Sequence, residues 1–266
     1  MMTLRIHILL CCCTFFFLRC ASNSPRGGQI PFITIEEELQ LGEEIASYSI
    51  QNLKIINNRA ITHFLSGIAA EIGRVSYWKG LHYTIFIVNE SDINHFSLPG
   101  GNIFLFRGLL EMCSSSEEIA AVIAHEIAHL AQRDGTNRLA EKYGFSFAAQ
   151  QAIGENPKIA EHIVLSLYQP DTILDYTQAQ EFQADLNALL YLKDSQLDVN
   201  GLKSMLEKIS LQKPQQLTLL LTTHPPAEER LNKLRRFFRE TKGSVAVPID
   251  PTEFNKMKVT LTRLPR

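Results

Sequence analysis

His125-Glu126-Ile127-Ala128-His129 is the most informative segment of this sequence. It has the pattern H-E-x-x-H, and the residues around it predict a helix. Because four residues make slightly more than one helical turn, His125 and His129 project from the same face. Two neutral imidazoles in that position can bind zinc, and Glu126 beside the metal can take a proton from metal-bound water. The pattern therefore predicts a zinc-dependent peptide hydrolase.

The sequence around this segment favours a buried helix over residues 115–132. Ser115 and Glu118 have the spacing of a capping box. Apolar residues then recur at helical spacing, at Ile119, Val122, Ile123, Ile127 and Leu130. The pattern can also arise by chance, but two histidines and a glutamate on the inner side of a buried helix need polar partners. We therefore expect a metal on the polar side of this helix.

Composition and charge exclude several other classes of protein. The chain has 266 residues, of which 45% are hydrophobic and 20% charged, as in ordinary globular proteins. Its formal net charge is -2 and it has no basic stripe with interleaved aromatic residues, so nucleic acid is not an expected partner. Of five cysteines only Cys113 lies in the body of the chain, so no disulfide can form within it.

The first twenty residues resemble the export signal of a bacterial lipoprotein. Arg5 precedes an apolar run over 6–18, which suits a signal-peptide core and is too short for a comfortable membrane span. Cys20 would become the lipidated residue, although Arg19 replaces the small residue usual there; cleavage nearby or an uncleaved anchor are the alternatives. The composition of residues 21–33 predicts a flexible tether. We expect an exported protein of the bacterial envelope or periplasm, anchored to a membrane by lipid on Cys20.

The rest of the chain predicts an α+β fold that is mostly helical. Helices are expected over 34–57 and 59–75, and strands over 81–88, 94–98 and 103–106. Further helices are expected over 115–132, 136–153, 157–168, 174–194, 198–211, 214–222 and 226–240. The strands predict a small antiparallel sheet packed beside the zinc helix. Residues 34–241 would form the metallopeptidase domain, and 242–266 a tail of unknown placement with strand-like Val259 and Leu261.

A catalytic zinc needs a third protein ligand, for which Glu181 is the best candidate. It lies in a predicted helix, and Asp185 follows one turn later on the same face. Glu181 could bind the metal while Asp185 accepts a hydrogen bond from a ligating imidazole. The alternative is that both are solvated surface acids, as most helical Asp and Glu are.

The chain resembles the HtpX-like and CAAX-prenyl-endopeptidase-like family of zinc metallopeptidases, and in particular its soluble, exported bacterial members. Four segments carry the resemblance, in this order: 94–110 (N-H-F-S-L-P-G-G-N-I-F-L-F-R-G-L-L), 125–129, 181–185, and Thr223-His224-Pro225-Pro226 with Arg230. The family often has alanine where His95 stands and histidine where Asp134 stands. The resemblance implies a gluzincin site with one zinc per chain, Glu126 as general base and Glu181 as third ligand.

His224 and Arg230 have expected roles beside the metal. His224 could donate to the oxyanion of the tetrahedral intermediate or make a reversible extra zinc contact; it could also be a structural residue before a helix. Arg230 is expected to tie the His-Pro loop to a carboxylate. No role is assigned to His63, His82, His95 or His162.

The segment from Asn94 to Phe106 is expected to supply an edge strand that pairs with an extended peptide substrate. Asn94, Pro99, Gly100 and Gly101 are the predicted substrate-binding residues, since glycines allow close approach. A simple tight turn is the alternative role of the two glycines.

These residues predict a zinc-dependent endopeptidase that hydrolyses exported or misfolded envelope proteins. The choice of substrate rests on the resemblance alone. A non-enzymatic, zinc-stabilised scaffold or chaperone of envelope protein assembly is the alternative, although structural zinc needs no general base. A zinc hydrolase of non-peptide amides is a third possibility.

Overall fold

The computed structural model describes residues 33–143, 165, 175–217, 220–221, 224–241 and 246–266. The predicted signal segment, Cys20 and the tether through residue 32 lie outside these residues, as does the predicted helix 157–168 apart from residue 165. The described helices are α1 (Ile35–Asn52), α2 (Arg59–Gly73), α3 (Arg107–Met112), α4 (Ser116–Gln132), α5 (Asp134–Tyr143), α6 (Gln178–Asp194), α7 (Asn200–Ser210), α8 (Ala227–Glu240) and α9 (Pro251–Arg263). The described strands are β1 (Thr84–Val88), β2 (His95–Leu98) and β3 (Asn102–Phe106).

Helix α4 carries the H-E-x-x-H segment through the centre of the molecule. It begins where the Ser115 side chain accepts a hydrogen bond from the backbone N–H of Glu118, at 3.4 Å. It ends at Arg133, whose φ of 59° is left-handed and turns the chain directly into α5. Of its residues only Glu117 and Gln132 are not buried. The fully buried alanines Ala120 and Ala124 allow close helix packing, and α4 contacts α2, α6 and α7.

The sheet has the order β1-β3-β2 and is mixed. β2 pairs antiparallel with β3 because the tight turn Pro99–Gly101 joins them, whereas β1 pairs parallel with the other side of β3. The α+β class is confirmed, but the expectation of an antiparallel sheet was wrong for this pair. After β1 the chain crosses to the far edge before it returns, so β3 inserts between β1 and β2. A parallel pair needs such a crossover.

The C-terminal residues end in a helix that joins the main core. Asp250 accepts a hydrogen bond from the backbone N–H of Thr252 at 2.8 Å, and Pro251 occupies the first helical turn. The buried residues of α9 are Phe254, Met257 and Leu261, and the helix packs against α2 and α3. The strand-like interpretation of Val259 and Leu261 was wrong, because buried residues spaced three and four apart belong to a helix.

Among the described residues, no helix combines the length and apolar composition that crossing a bilayer requires.

Candidate active site

The two histidines of α4 meet Glu181 of α6 in the interior. The Nε2 atoms of His125 and His129 lie 3.1 Å apart. Glu181 places Oε1 3.1 Å from Nε2 of His129 and Oε2 3.5 Å from Nε2 of His125. All three side chains are at most 2% exposed. Two separate helices thus bring the three predicted ligand groups to one point.

A carboxylate behind each imidazole fixes its orientation. Nδ1 of His125 lies 3.0 Å from Oδ1 of Asp185, and Nδ1 of His129 lies 2.8 Å from Oδ2 of Asp134. If each Nδ1–H donates to its carboxylate, each Nε2 keeps a lone pair that faces Glu181. Sequence reasoning assigned Asp185 to this role and missed Asp134. Its position five residues after His129, just past the helix end, was the available signal.

These groups fit a tetrahedral zinc ion. Zinc–ligand bonds of about 2.0–2.1 Å hold neighbouring ligand atoms about 3.3 Å apart, close to the three separations among His125, His129 and Glu181. Oε2 of Glu181 is buried and has no hydrogen-bond partner. Buried nitrogen and carboxylate atoms this close together need a proton or another cation between them, because unpaired polar atoms are costly in a protein interior. Two imidazoles and a carboxylate are typical zinc ligands.

The electrostatics of the site also favour a cation. Burial lowers the pKa of His129, but hydrogen bonds with Asp134 and Glu181 outweigh burial and raise it to about 10. Burial and the nearby Arg230 lower the pKa of His125, which favours its neutral, ligating form. Burial raises the pKa of Glu181, yet the neighbouring positive groups hold it well below its usual range. The site thus attracts positive charge and keeps Glu181 ionised.

Arg230 of α8 contacts two carboxylates of α6. Its Nε and Nη2 donate to the two oxygens of Asp185 at 2.8 and 2.6 Å, and its Nη1 lies 3.3 Å from Oε2 of Glu181. Burial alone would lower the pKa of Arg230, but the two carboxylates raise it above its ordinary value. Arg230 thus forms a bidentate contact with a carboxylate, and its role in holding the His-Pro loop stays a prediction.

His224 lies at the same point. Its Nδ1 is 2.6 Å from Oε1 of Glu181, while its Nε2 is buried without a hydrogen-bond partner. The ligand atoms of His125, His129, Glu181 and His224 all lie within 4.8 Å of one another. The structure therefore places His224 where it could make either predicted contact, to an oxyanion or to the metal.

His95 on β2 contacts Glu126, the predicted general base. Sequence reasoning missed this contact. Nδ1 of His95 lies 2.5 Å from Oε1 of Glu126, and the two residues are 3% and 0% exposed. Burial lowers the pKa of His95 to about 4, so the neutral ring donates Nδ1–H to the carboxylate. Oε2 of Glu126 has no partner. The strand-to-helix contact joins residues 31 apart, so no local spacing could reveal it.

Tyr176 covers one side of the ligand group. Its ring stacks on His129 with centroids 4.1 Å apart and planes at 19°. The adjoining cavity is lined by residues that include Ser97, Pro99 and His129, and its volume is 10 Å³, room for about one water. The side chains of His125, His129 and Glu181 are thus buried, with little free space beside them.

The predicted substrate-binding residues form a buried strand end and turn. Asn94 is 2% exposed, and its carbonyl accepts a hydrogen bond from the backbone N–H of Phe106 at 3.1 Å. Gly100 and Gly101 have φ of 79° and 92°, a region that favours glycine. A Cβ on Gly101 would lie 2.2 Å from the carbonyl oxygen of His82. The geometry accounts for a tight turn; contact of Asn94, Pro99, Gly100 and Gly101 with a substrate stays a prediction.

This combination of a paired-histidine helix, a glutamate from a second helix and a buried glutamate beside them defines a metallopeptidase domain. The sequence profile of peptidase family M48 matches residues 57–237, more than half of the chain, and the chain belongs to this family. The family predicted from the four motifs is thereby confirmed.

Individual relatives agree with the family. Mitochondrial metalloendopeptidase OMA1 of Schizosaccharomyces pombe is 27% identical over 186 residues, which cover 68% of this chain and 54% of the relative. Beta-barrel assembly-enhancing proteases of Yersinia pestis and Escherichia coli are each 23% identical, over 247 and 225 residues. Those alignments cover 85% and 76% of this chain but 49% and 44% of the relatives. The chain spans about half the length of the curated relatives it matches.

Proposed function

We propose that this protein is a zinc-dependent endopeptidase in which Glu126 is the general base. The observation that carries the proposal is the convergence of His125, His129 and Glu181, with Glu126 buried beside them and one of its oxygens unpartnered. A purely structural metal site would need no ionised carboxylate next to its ligands. Membership of a peptidase family supports the same function.

A zinc ion held by His125, His129 and Glu181 would supply a Lewis acid that lowers the pKa of water and polarises a peptide carbonyl. Glu126 accepts the proton of the attacking water on Oε2 and returns it to the leaving amine. Burial raises the pKa of Glu126, but the His95 hydrogen bond and the neighbouring histidines lower it more, so the base is ionised. His95 holds the other oxygen and thereby aims Oε2.

His224 supplies the second donor for the tetrahedral intermediate. It contacts Glu181 through Nδ1, and its Nε2, which has no hydrogen-bond partner, is the atom that would contact the developing oxyanion. Arg230 holds Asp185 through its paired hydrogen bonds and lies 3.3 Å from Oε2 of Glu181. The Arg230 contact rigidifies the ligand set before substrate arrives.

The substrates that we propose are exported or misfolded polypeptides of a bacterial envelope, with the protein held at a membrane by lipid on Cys20. Two observations support this: the signal-like residues 1–20 and the similarity to beta-barrel assembly-enhancing proteases. The assembly function in those names belongs to the relatives. A zinc-stabilised scaffold without catalysis is the alternative.

A paired measurement of metal content and proteolysis tests the proposal. Glu126→Gln keeps the volume of the side chain and removes the base, so kcat on a casein-like substrate should fall about 10²–10⁴-fold. Zinc content should stay at one per chain. Glu117→Gln, on the same helix but remote from the ligands, is the matched control and should cleave like wild type.

Undiminished cleavage by Glu126→Gln would remove Glu126 from the mechanism. A wild-type chain that binds zinc and never cleaves would favour the scaffold.

A further inference from the structure

A groove with a positively charged rim lies between α7 and α8, which pack against each other. Its volume is 410 Å³, and none of the residues of the candidate active site lines it. Both helices contribute to its lining, which consists of Asn200, Lys203, Glu207, Leu231, Arg235, Phe238 and Arg239. The groove is therefore a separate surface feature that the proposed reaction does not use.

The rim of the groove is positive although the protein as a whole is not. Three cations line it, at Lys203, Arg235 and Arg239, and all three residues are exposed. Glu207, the carboxylate of the lining, pairs with Lys203 at 3.4 Å. The guanidinium groups of Arg235 and Arg239 form no ion pair within the described part of the chain. The whole chain has a formal net charge of -2, so the groove concentrates positive charge on an otherwise slightly acidic protein.

The two unpaired arginines suit an anion. Arg235 and Arg239 are four residues apart on α8, so their side chains are neighbours on one face of the helix. Like charges at this spacing repel each other, and a phosphate between them would replace the repulsion by attraction. A guanidinium binds phosphate oxygens through paired N–H donors. The negative end of the helix dipole accounts for a cation in the last turn, such as Arg239, but not for Lys203 on the other helix.

Apolar surface lies directly beside these cations. Leu231 and Phe238 line the same groove and are half-buried against the main core. A phosphate next to apolar carbons is the chemistry of a phospholipid, whose headgroup would contact the arginines while its glycerol and upper acyl carbons contact Leu231 and Phe238. Single-stranded nucleic acid is a poorer match, because its bases stack on exposed aromatic rings and Phe238 packs against the core.

We propose that the groove between α7 and α8 binds the headgroup phosphate of an anionic phospholipid, so that this face of the protein lies against a membrane surface. Cations close to an anionic membrane favour binding, and the attraction falls as ionic strength rises. The proposal goes beyond the proposed function and does not depend on catalysis. It gives the protein an orientation on the membrane, which a flexible lipid tether at Cys20 would not supply.

Vesicle sedimentation tests the proposal with the full-length chain. Binding is measured to vesicles of phosphatidylcholine and to vesicles that also contain phosphatidylglycerol. The N-terminal segment can bind both kinds of vesicle, so the measured quantity is the ratio of the two partition coefficients. Arg235→Gln/Arg239→Gln should lower this ratio at least about tenfold, because two cations near an anionic surface are removed. Lys256→Gln/Arg263→Gln, which removes two exposed cations of α9, is the matched control and should keep the wild-type ratio.

Equal ratios in Arg235→Gln/Arg239→Gln and wild type, with both folded by circular dichroism, would overturn the proposal. An equal fall in the α9 control would also overturn it, since net charge rather than the groove would then determine binding. If wild type instead binds a single-stranded oligonucleotide and not the anionic vesicles, the groove belongs to nucleic acid. Arg235→Gln/Arg239→Gln should cleave a casein-like substrate in solution like wild type, so a wild type that binds the anionic vesicles and never cleaves would count against the proposed function alone.

Discussion

Arg133 and Asp134 belong to two different buried polar clusters, which differ in whether their carboxylate oxygens all have hydrogen-bond partners. In the first cluster, Arg133 donates through Nε to Glu38 and through Nη2 to the carbonyl of Ile33 at 3.0 Å, while Thr136 donates to the other Glu38 oxygen at 2.6 Å. Both oxygens of Glu38 thus have donors. In the ligand cluster, one oxygen each of Glu126 and Glu181 has no hydrogen-bond partner, although Arg230 forms an ion pair with the Glu181 oxygen at 3.3 Å.

The comparison separates a structural use of buried charge from a functional one. A buried ion pair that fixes the fold must satisfy its own hydrogen-bonding groups, because unpaired ones cost about 1–3 kcal/mol each. In a site that binds a metal and water, some polar groups lack hydrogen-bond partners until the metal and the water bind. The Glu38 cluster anchors α1 to the end of α4, and Asp134, next in the chain, orients His129.

Breaking the structural cluster should have the largest effect on stability. Arg133→Met leaves Glu38 buried without its cation, so the free energy of unfolding should fall by about 3–5 kcal/mol at neutral pH, measured by urea denaturation. Burial raises the pKa of Glu38 more than its partners lower it, so the carboxyl protonates readily as pH falls. The destabilisation should therefore shrink towards acid pH, where Glu38 becomes neutral. Arg236→Met, which removes an exposed ion pair with Glu240, is the control and should show no resolvable change.

A destabilisation of Arg133→Met that does not depend on pH would show that lost packing, rather than the buried charge of Glu38, is responsible.

A substitution in the ligand cluster should lower the affinity of the protein for zinc rather than its free energy of unfolding. Asp134→Asn weakens the hydrogen bond that orients His129, and zinc affinity should fall about 10–100-fold in competition with a chelator. Glu141→Gln, on the exposed side of α5, is the control. Equal zinc affinity in Asp134→Asn and wild type would show that Asp134 does not orient the ligand.

The smallest effect is expected at the start of α1, which carries Glu38. Thr34 accepts a hydrogen bond from the backbone N–H of Glu37 at 3.2 Å, and Thr34→Ala removes this cap. Unfolding free energy should fall by about 1 kcal/mol in the same urea experiment, with zinc content unchanged. Loss of zinc from this variant would mean that the two clusters are coupled through α1.

Local patterns predicted most of the helices but not the pairing of distant segments. Helix α4, its start near Ser115 and the shared face of His125 and His129 follow from spacings within a few residues. The parallel pairing of β1 with β3 depends on where the chain returns after residues 89–94, and helix α9 depends on apolar partners in α2 and α3. Neither is encoded by short-range periodicity alone.

For the site, the sequence by itself determined the paired histidines, the glutamate beside them and the shared face of Glu181 and Asp185, because a helix converts fixed spacing into fixed direction. Only the tertiary structure decided that Asp134 orients His129 and that His95 holds Glu126. These contacts join a helix end or a strand to α4, and their geometry depends on how the whole core packs. The His95–Glu126 contact joins residues 31 apart, so no local spacing reveals it, whereas Asp134 lies near His129 in sequence but reaches it only through the left-handed turn at Arg133.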